Sequence, residues 1–249
     1  MASKLLAEIR ELFEHCSDEE QTEFFRELRE RFIIHEFEEI IGAPAEMILE
    51  AVHRAPELTR RMLRGVIADA AFRMHVVQDI QTHGWNDITP EGNFAYDYKL
   101  DDGAGPITVQ IKLQRSEQGT PAKRKGDRYG FQPEIYIVET QKTRTGTDVE
   151  DNKTRPYRYG EFDILAVSMQ PSTGRWDQFM YTLGRWLLPA KNPDMLATIQ
   201  PVSMSPNEYW TDSFLTAAKW LRTDNGKKQM SVSRKEKSPV SKKLRVKGA

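Results

Sequence analysis

The stretch Asn93 to Gln114, NFAYDYKLDDGAGPITVQIKLQ, constrains this chain more than any other, because few shapes besides a β-hairpin suit it. Phe94, Tyr96 and Tyr98 alternate with Ala95, Asp97 and Lys99, the period of two expected of a half-buried strand. Ile107, Val109, Ile111 and Leu113 alternate in the same way with Thr108, Gln110, Lys112 and Gln114. Between the two runs, DDGAGP is turn material: acidic residues that satisfy their own backbone, two glycines free to take positive φ, and a proline. A loop at Asp102 to Gly105 sets a register that pairs Asp97 with Gln110 and Ala95 with Lys112. The aromatic and β-branched face then packs inward. The opposite face collects a carboxylate, a carboxamide and an ammonium, a trio that packing alone does not require.

A carboxylate beside a lysine on neighbouring strands is what metal-assisted phosphodiester hydrolysis needs. The carboxylate holds a hard divalent cation that keeps several waters and also binds a phosphate oxygen. The cation makes a bound water more acidic and stabilises charge in the transition state. The lysine orients or deprotonates the attacking water and holds the phosphate. The pattern, Asp97 followed after a turn by Gln110-x-Lys112, resembles the PD-(D/E)xK nuclease superfamily. The resemblance spans roughly Gly65 to Met169 and is closest to bacterial type II restriction endonucleases. Two positions depart from the family pattern: Tyr96 stands where proline is usual, and Gln110 stands where Asp or Glu is usual. A glutamine carbonyl still ligates magnesium through oxygen, and glutamine variants of the motif occur among restriction enzymes, but one negative charge is removed. The plainer alternative for the same stretch is a hairpin whose polar face meets solvent.

The resemblance implies an α/β fold, a mixed central β-sheet flanked by helices in the restriction endonuclease-like manner, with an N-terminal helical region. It implies Mg²⁺-dependent hydrolysis of phosphodiester bonds in double-stranded DNA by a cytoplasmic bacterial homodimer that cuts both strands of a palindrome. Asp97 is then the main metal ligand, Gln110 a weak ligand or orienter, and Ile111 lends its main-chain carbonyl. Lys112 positions and activates water. In the family a helix precedes the first catalytic strand and often completes the metal site with an inward acid; Asp69, in GVIADAAF, matches that position. For Asp69 the alternative is a surface ion pair with Arg73, four residues on. Glu91 is a weaker candidate. Two rival functions share these residues: a repair or structure-specific nuclease without sequence preference, and a DNA-binding protein whose active site has decayed.

The rest of the chain bounds the argument. A lone cysteine, Cys16, excludes an intramolecular disulfide and a thiolate zinc site and suits a reducing cytoplasm. No apolar run has membrane-spanning length, and the N-terminus lacks the apolar core of a signal peptide. Net charge is −1, which argues against a protein that coats nucleic acid by charge alone. The distribution is uneven: residues 1–80 hold 17 acidic against 10 basic side chains, while 227–249 hold nine basic and one acidic. The expected division is a helical region over residues 1–55, a nuclease core over 56–222, and a basic disordered tail over 223–249.

Helices are expected over Asp18 to Ile41, capped by Ser17 with Glu20 three residues on and stopped by Gly42, and over Pro44 to Ala55. A third, from about Pro56 to Ile80, leads into the hairpin with Leu63, Val66, Ile67, Ala70, Met74 and Val77 as its buried stripe. After the hairpin, two glycine-containing loops carry basic groups suited to DNA phosphates and guanine edges. The first holds Lys123, Arg124, Lys125 and Arg128; the second holds Lys142, Arg144, Arg155 and Arg158. Their plain alternative is solvated loop. Glu134 to Glu139 and Phe162 to Met169 read as strands, with Asp163 structural rather than catalytic. Trp176 to Leu188 is expected to pack on the sheet, and Asn207 to Leu221 to form a final helix.

Overall fold

A computed structural model of the chain describes residues 4–32, 35–125, 134–142, 156–223 and 229–231. The chain divides into two compact units, Met1–Met62 and Leu63–Ala249. The first contains α1 (Lys4–Glu14), α2 (Asp18–Arg31), α3 (Phe37–Ile41) and α4 (Ala45–Arg54). Ser17 opens α2 with a reciprocal cap: its hydroxyl accepts from the Glu20 N–H, and the Glu20 carboxylate accepts from the Ser17 N–H. Within this unit the Phe13 ring packs against Phe24 and Phe25 at 5.9 and 5.3 Å, and Arg29 pairs with Glu46 at 2.7 Å. The single helix expected from Asp18 to Ile41 is two helices. Phe32 turns extended at φ −126°, and the β-branched pair Ile33-Ile34 that follows has low helix propensity. Apolar spacing does not register such a break. Gly42, at φ +70°, ends α3 as expected.

A continuous helical run of α5 (Glu57–Phe72), a π-helical turn (Arg73–Val77) and α6 (Gln78–Gln81) occupies the place of the third expected helix. Of the expected stripe only Val77 is buried. Ala68, Ala71, Phe72, Val76, Val77 and Ile80 are buried, whereas Val66 and Met74 are 63% and 60% exposed. The alanines let the helix lie close to the sheet. Phe72 then reaches the rings of Tyr98, Phe179 and Phe214, at 5.2, 5.4 and 6.5 Å. Periodicity favours large aliphatic side chains; here close approach selects small ones around one ring.

The strands follow in order: β1 (Asn86–Asp87), β2 (Tyr98–Asp101), β3 (Ile107–Leu113), β4 (Ser116–Glu117), β5 (Thr120–Pro121), β6 (Lys123–Lys125) and β7 (Glu134–Glu139). Then come β8 (Ile164–Ser168), α7 (Gln170–Thr173), β9 (Phe179–Leu183), β10 (Ile199–Val202) and α8 (Phe214–Thr223). The fold is mixed α/β. Its central sheet has the order β1-β2-β3-β8-β9, antiparallel throughout except for the parallel pair β3–β8. β8 is apolar almost throughout and buried along its whole length, as a strand covered on both faces must be. A smaller sheet, β10-β7-β6, and the two-stranded β4–β5 complete the strands.

Helices cover one face of the central sheet: Phe72, Ala68 and Ile80 from the helical run, with Phe214 and Ala217 of α8, pack on Ile107, Ile111, Ile164 and Leu183. The other face is covered differently from the expected helical flank. Val138 of β7, Val202 of β10, Tyr157, Phe162, Leu187 and Trp210 meet Leu165 and Val167 there. The intervening sequence is short β-prone runs punctuated by Pro and Gly, which cannot sustain an amphipathic helix. The Trp176 to Leu188 stretch supplies a strand of the sheet, β9, and its ends, Trp176, Trp186, Leu187 and Leu188, pack on the two cores as expected. The last helix starts seven residues later than expected, because Asn207 holds a turn by accepting from the N–H groups of Tyr209 and Trp210. Among the described residues no helix is long and apolar enough to cross a membrane.

Candidate functional site

The hairpin sets the site. Tyr98 lies opposite Val109, Lys99 opposite Thr108 and Leu100 opposite Ile107, which is the register expected from the turn. Asp101 and Asp102 accept from the N–H groups of Gly103 and Ala104, and Gly103 and Gly105 take φ of +88° and +108°. Before Tyr98 the first strand leaves the ladder. Phe94 is 46% exposed and stacks on Tyr96, so the expected inward alternation begins only at Tyr98. The Asp97 N–H still donates to the Val109 carbonyl at 2.9 Å. Beyond that point the Ile111 N–H has no strand partner, and the Asp97 carboxylate accepts it at 2.7 Å. The carboxylate is therefore fixed where the ladder opens.

Gln110 is buried at 4% exposure. Its amide nitrogen donates both to Asp97 and to the Ile111 carbonyl, the latter at 3.1 Å. The carboxamide thus bridges the carboxylate and the main-chain oxygen. Asp69, on α5, lies near enough to feel the charge of Asp97. Burial first, and then the charge of Asp97, push the Asp69 carboxyl up to about 6, against the influence of Tyr98 and Arg73. Asp97 is an exposed residue whose carboxylate is held against the Ile111 N–H and the Gln110 amide; lost hydration raises it as well, although the Ile111 N–H, Lys112 and Gln110 oppose the shift. A half-buried carboxyl that feels a second carboxylate's charge marks a place where positive charge is wanted.

Lys112 lies two residues along β3 from Gln110, on the same face. Burial lowers its pKa, while Asp97 and Glu139 act to hold it charged. Its ammonium stands 5.3 Å from the centroid of the Tyr157 ring. Lys142 stands 5.5 Å from the same centroid and pairs with Glu161 at 2.7 Å. Tyr157, Glu139 and Glu161 are the neighbours that sequence reasoning missed. No periodicity or motif marks Tyr157, which lies in the basic run Arg155 to Arg158.

The structure brings together Asp97, Gln110, Ile111, Lys112 and Asp69, and adds Lys142 by way of Tyr157. The other basic candidates lie elsewhere. Lys123, Arg124 and Lys125 are exposed on β6 of the smaller sheet, where Lys123 pairs with Glu134 at 3.2 Å and Arg124 with Glu117 at 2.9 Å. Arg158 is exposed and bridges its backbone to Met195. Arg128, Arg144 and Arg155 lie outside the described residues, as does most of the basic tail. Glu91 is exposed. Asp163 accepts from the Thr108 N–H and hydroxyl at 2.8 and 2.7 Å, tying β8 to the start of β3. That is a structural duty.

The corner offers only hard oxygen donors: two carboxylates, a carboxamide and a main-chain carbonyl. Such a set fits Mg²⁺ and not a soft metal. Among the described residues no group of three His, Cys, Asp or Glu side chains gathers, so waters and phosphate oxygens would have to complete the shell.

No family model matches the chain, and no curated protein matches it. Among solved structures, the bacterial homing endonuclease I-Ssp6803I is similar at 17% identity and a TM-score of 0.38, over 65% of this chain and 96% of that one. A likeness this distant carries no argument about the site.

Proposed function

We propose that the chain is a Mg²⁺-dependent endonuclease that hydrolyses phosphodiester bonds of double-stranded DNA, sequence-specific and dimeric in the manner of type II restriction enzymes. One observation carries the reading: the opened end of the hairpin fixes the Asp97 carboxylate on the Ile111 N–H and the Gln110 amide, with Lys112 two residues further along the same strand face. The PD-(D/E)xK resemblance of Asp97 and Gln110-x-Lys112 supplies the substrate class and the restriction endonuclease-like arrangement.

Asp97, Asp69 and the Ile111 carbonyl would hold Mg²⁺, with Gln110 turning its amide oxygen inward. When bound, the ion supplies Lewis-acid charge and an acidified water. The residues do the rest. The Lys112 ammonium donates to a non-bridging phosphate oxygen and orients the attacking water. That water adds to phosphorus, its proton passing to solvent, and the bond to the leaving oxygen opposite breaks as that oxygen takes a proton from solvent. Asp97, itself fixed by the Ile111 N–H, keeps Lys112 charged. The basic groups of the two loops would grip the duplex, a contribution that weakens as salt rises.

The test is incubation of the full chain with long duplex DNA, with and without Mg²⁺, beside Lys112→Ala. Discrete fragments that vanish with EDTA, and a variant that binds DNA with little loss but cuts at least 10²-fold more slowly, are the expected result; the loss of one preorganised donor to the transition state, about 10²–10³, sets that scale. A Lys112→Ala protein cutting at the parent rate would sink the mechanism, and a smear would indicate a nuclease without sequence preference. One observation favours a second reading. The Gln110 amide nitrogen lies between the very oxygens that would hold the ion. Binding without cutting in Mg²⁺ or Mn²⁺, indifferent to Asp97→Ala, would establish a DNA-binding protein instead.

A further inference from the structure

We propose that Tyr157 is the positioning residue for Lys112, holding its ammonium over an aromatic face so that all three N–H donors stay free for substrate. The inference rests on the nuclease reading above. Its ground is the surroundings of the ammonium. Among the described residues the Lys112 ammonium makes no hydrogen bond and no ion pair within 4 Å, and the contact that locates its Nζ is the Tyr157 ring at 5.3 Å.

The choice of an aromatic partner has a chemical consequence. A carboxylate at hydrogen-bond distance would fix the ammonium too, but it would occupy donors and compete with phosphate. The face of an aromatic ring attracts a cation through its quadrupole and uses none of them. Burial strengthens the attraction, because neither partner is well solvated. Asp97 and Glu139 add a longer-range field at Lys112 without taking its donors.

The ring is itself held. Tyr157 is 4% exposed, and the buried Phe162 meets it edge-on at 5.3 Å. Its carbonyl accepts from the Leu196 N–H at 2.8 Å, so its backbone is tied into the layer that covers the sheet. Lys142, paired with Glu161, lies over the same ring. A side chain anchored on this many sides can locate a flexible lysine, which has rotamer freedom to lose.

The experiment compares the full-length parent, Tyr157→Phe and Tyr157→Leu. Cleavage kinetics are measured in Mg²⁺, and the Lys112 side chain is followed by NMR in protein labelled with ¹³C-lysine and assigned through Lys112→Arg. In the parent, ring current places the Lys112 ε-methylene signal upfield of exposed lysines. Tyr157→Phe keeps that shift and cuts within about twofold of the parent, because the ring face survives. Tyr157→Leu loses the shift and lowers kcat about tenfold, the scale of a desolvated cation–π contact, with KM within about twofold. A parent signal at the exposed-lysine position overturns the proposal whether or not the variants fold. So does Tyr157→Leu cutting at the parent kcat with a native circular dichroism spectrum. If the upfield shift is present and lost as described while the parent cuts no DNA, the contact stands and the nuclease reading is what fails.

Discussion

The most informative residue is Asp69, because its environment makes a measurable statement. A carboxyl raised to about 6 from an ordinary 3.8 holds its proton more firmly in the folded chain than in the unfolded one. Its contribution to stability is therefore greatest below pH 4, is lost as pH climbs through 6, and stays lost above. Asp69→Asn removes the charge that must otherwise be buried beside Asp97. In EDTA, the variant should be more resistant to urea than the parent at pH 7.5, with the gain shrinking to nothing near pH 4. Equal urea midpoints at both pH values would mean that neither burial nor the charge of Asp97 raises Asp69. Mg²⁺ should narrow the gap at pH 7.5, since a cation between two carboxylates offsets their repulsion. At this scale the sequence was informative about identities and poor about neighbours. Asp97, Gln110 and Lys112 could be placed together because a strand has a strict period and a short turn fixes its register. Tyr157 could not, since its approach to Lys112 depends on how a distant segment folds back.

At the scale of elements, Gly184 shows how tightly β8 and β9 are joined at their ends. A Cβ there would stand 2.5 Å from the Phe162 carbonyl oxygen, while the Gly184 N–H donates to Asp163 at 2.7 Å. Gly184→Ala should destabilise the protein by about 1–3 kcal/mol, the usual cost of overpacking, seen as a lower urea midpoint at unchanged slope. A midpoint equal to the parent's would show that the Phe162 backbone gives way freely. The same scale shows why some elements were legible and others were not. The capping box at Ser17 and the strand Glu134–Glu139 carry local signals, and they form where those signals lie. The buried face of α5 was misplaced because packing favoured Ala68 and Ala71 over larger aliphatic neighbours. β7 was recognised as a strand, but nothing local says that it pairs with β10 and β6 instead of joining the central sheet.

For the whole molecule, the division of the chain has a consequence for what may be removed. Among the described residues every buried hydrophobic side chain falls at Ala68 or later. A fragment beginning at Pro56 keeps α5 intact and should unfold cooperatively, with a Tm within about 4 °C of the parent, equivalent to about 1 kcal/mol for a chain this size. On the nuclease reading it should also cut DNA as the full chain does. A folded fragment that no longer cuts would give the N-terminal helices a part in holding the duplex, and one that fails to fold would give them a part in the core.

The single parallel pair in the central sheet also orders events in time. Asp97, Gln110 and Lys112 belong to a hairpin whose strands are joined by a short turn, so they can meet within microseconds of collapse. β8 can join β3 only after the chain has made its long excursion and returned, and Tyr157 arrives on that returning segment. Contacts of such long sequence separation form slowly. On this order Asp97 and Gln110 meet first, while the lysine swings freely until Tyr157 arrives. If the chemistry proposed here is right, this interval keeps a nascent nuclease harmless until its last layer is in place.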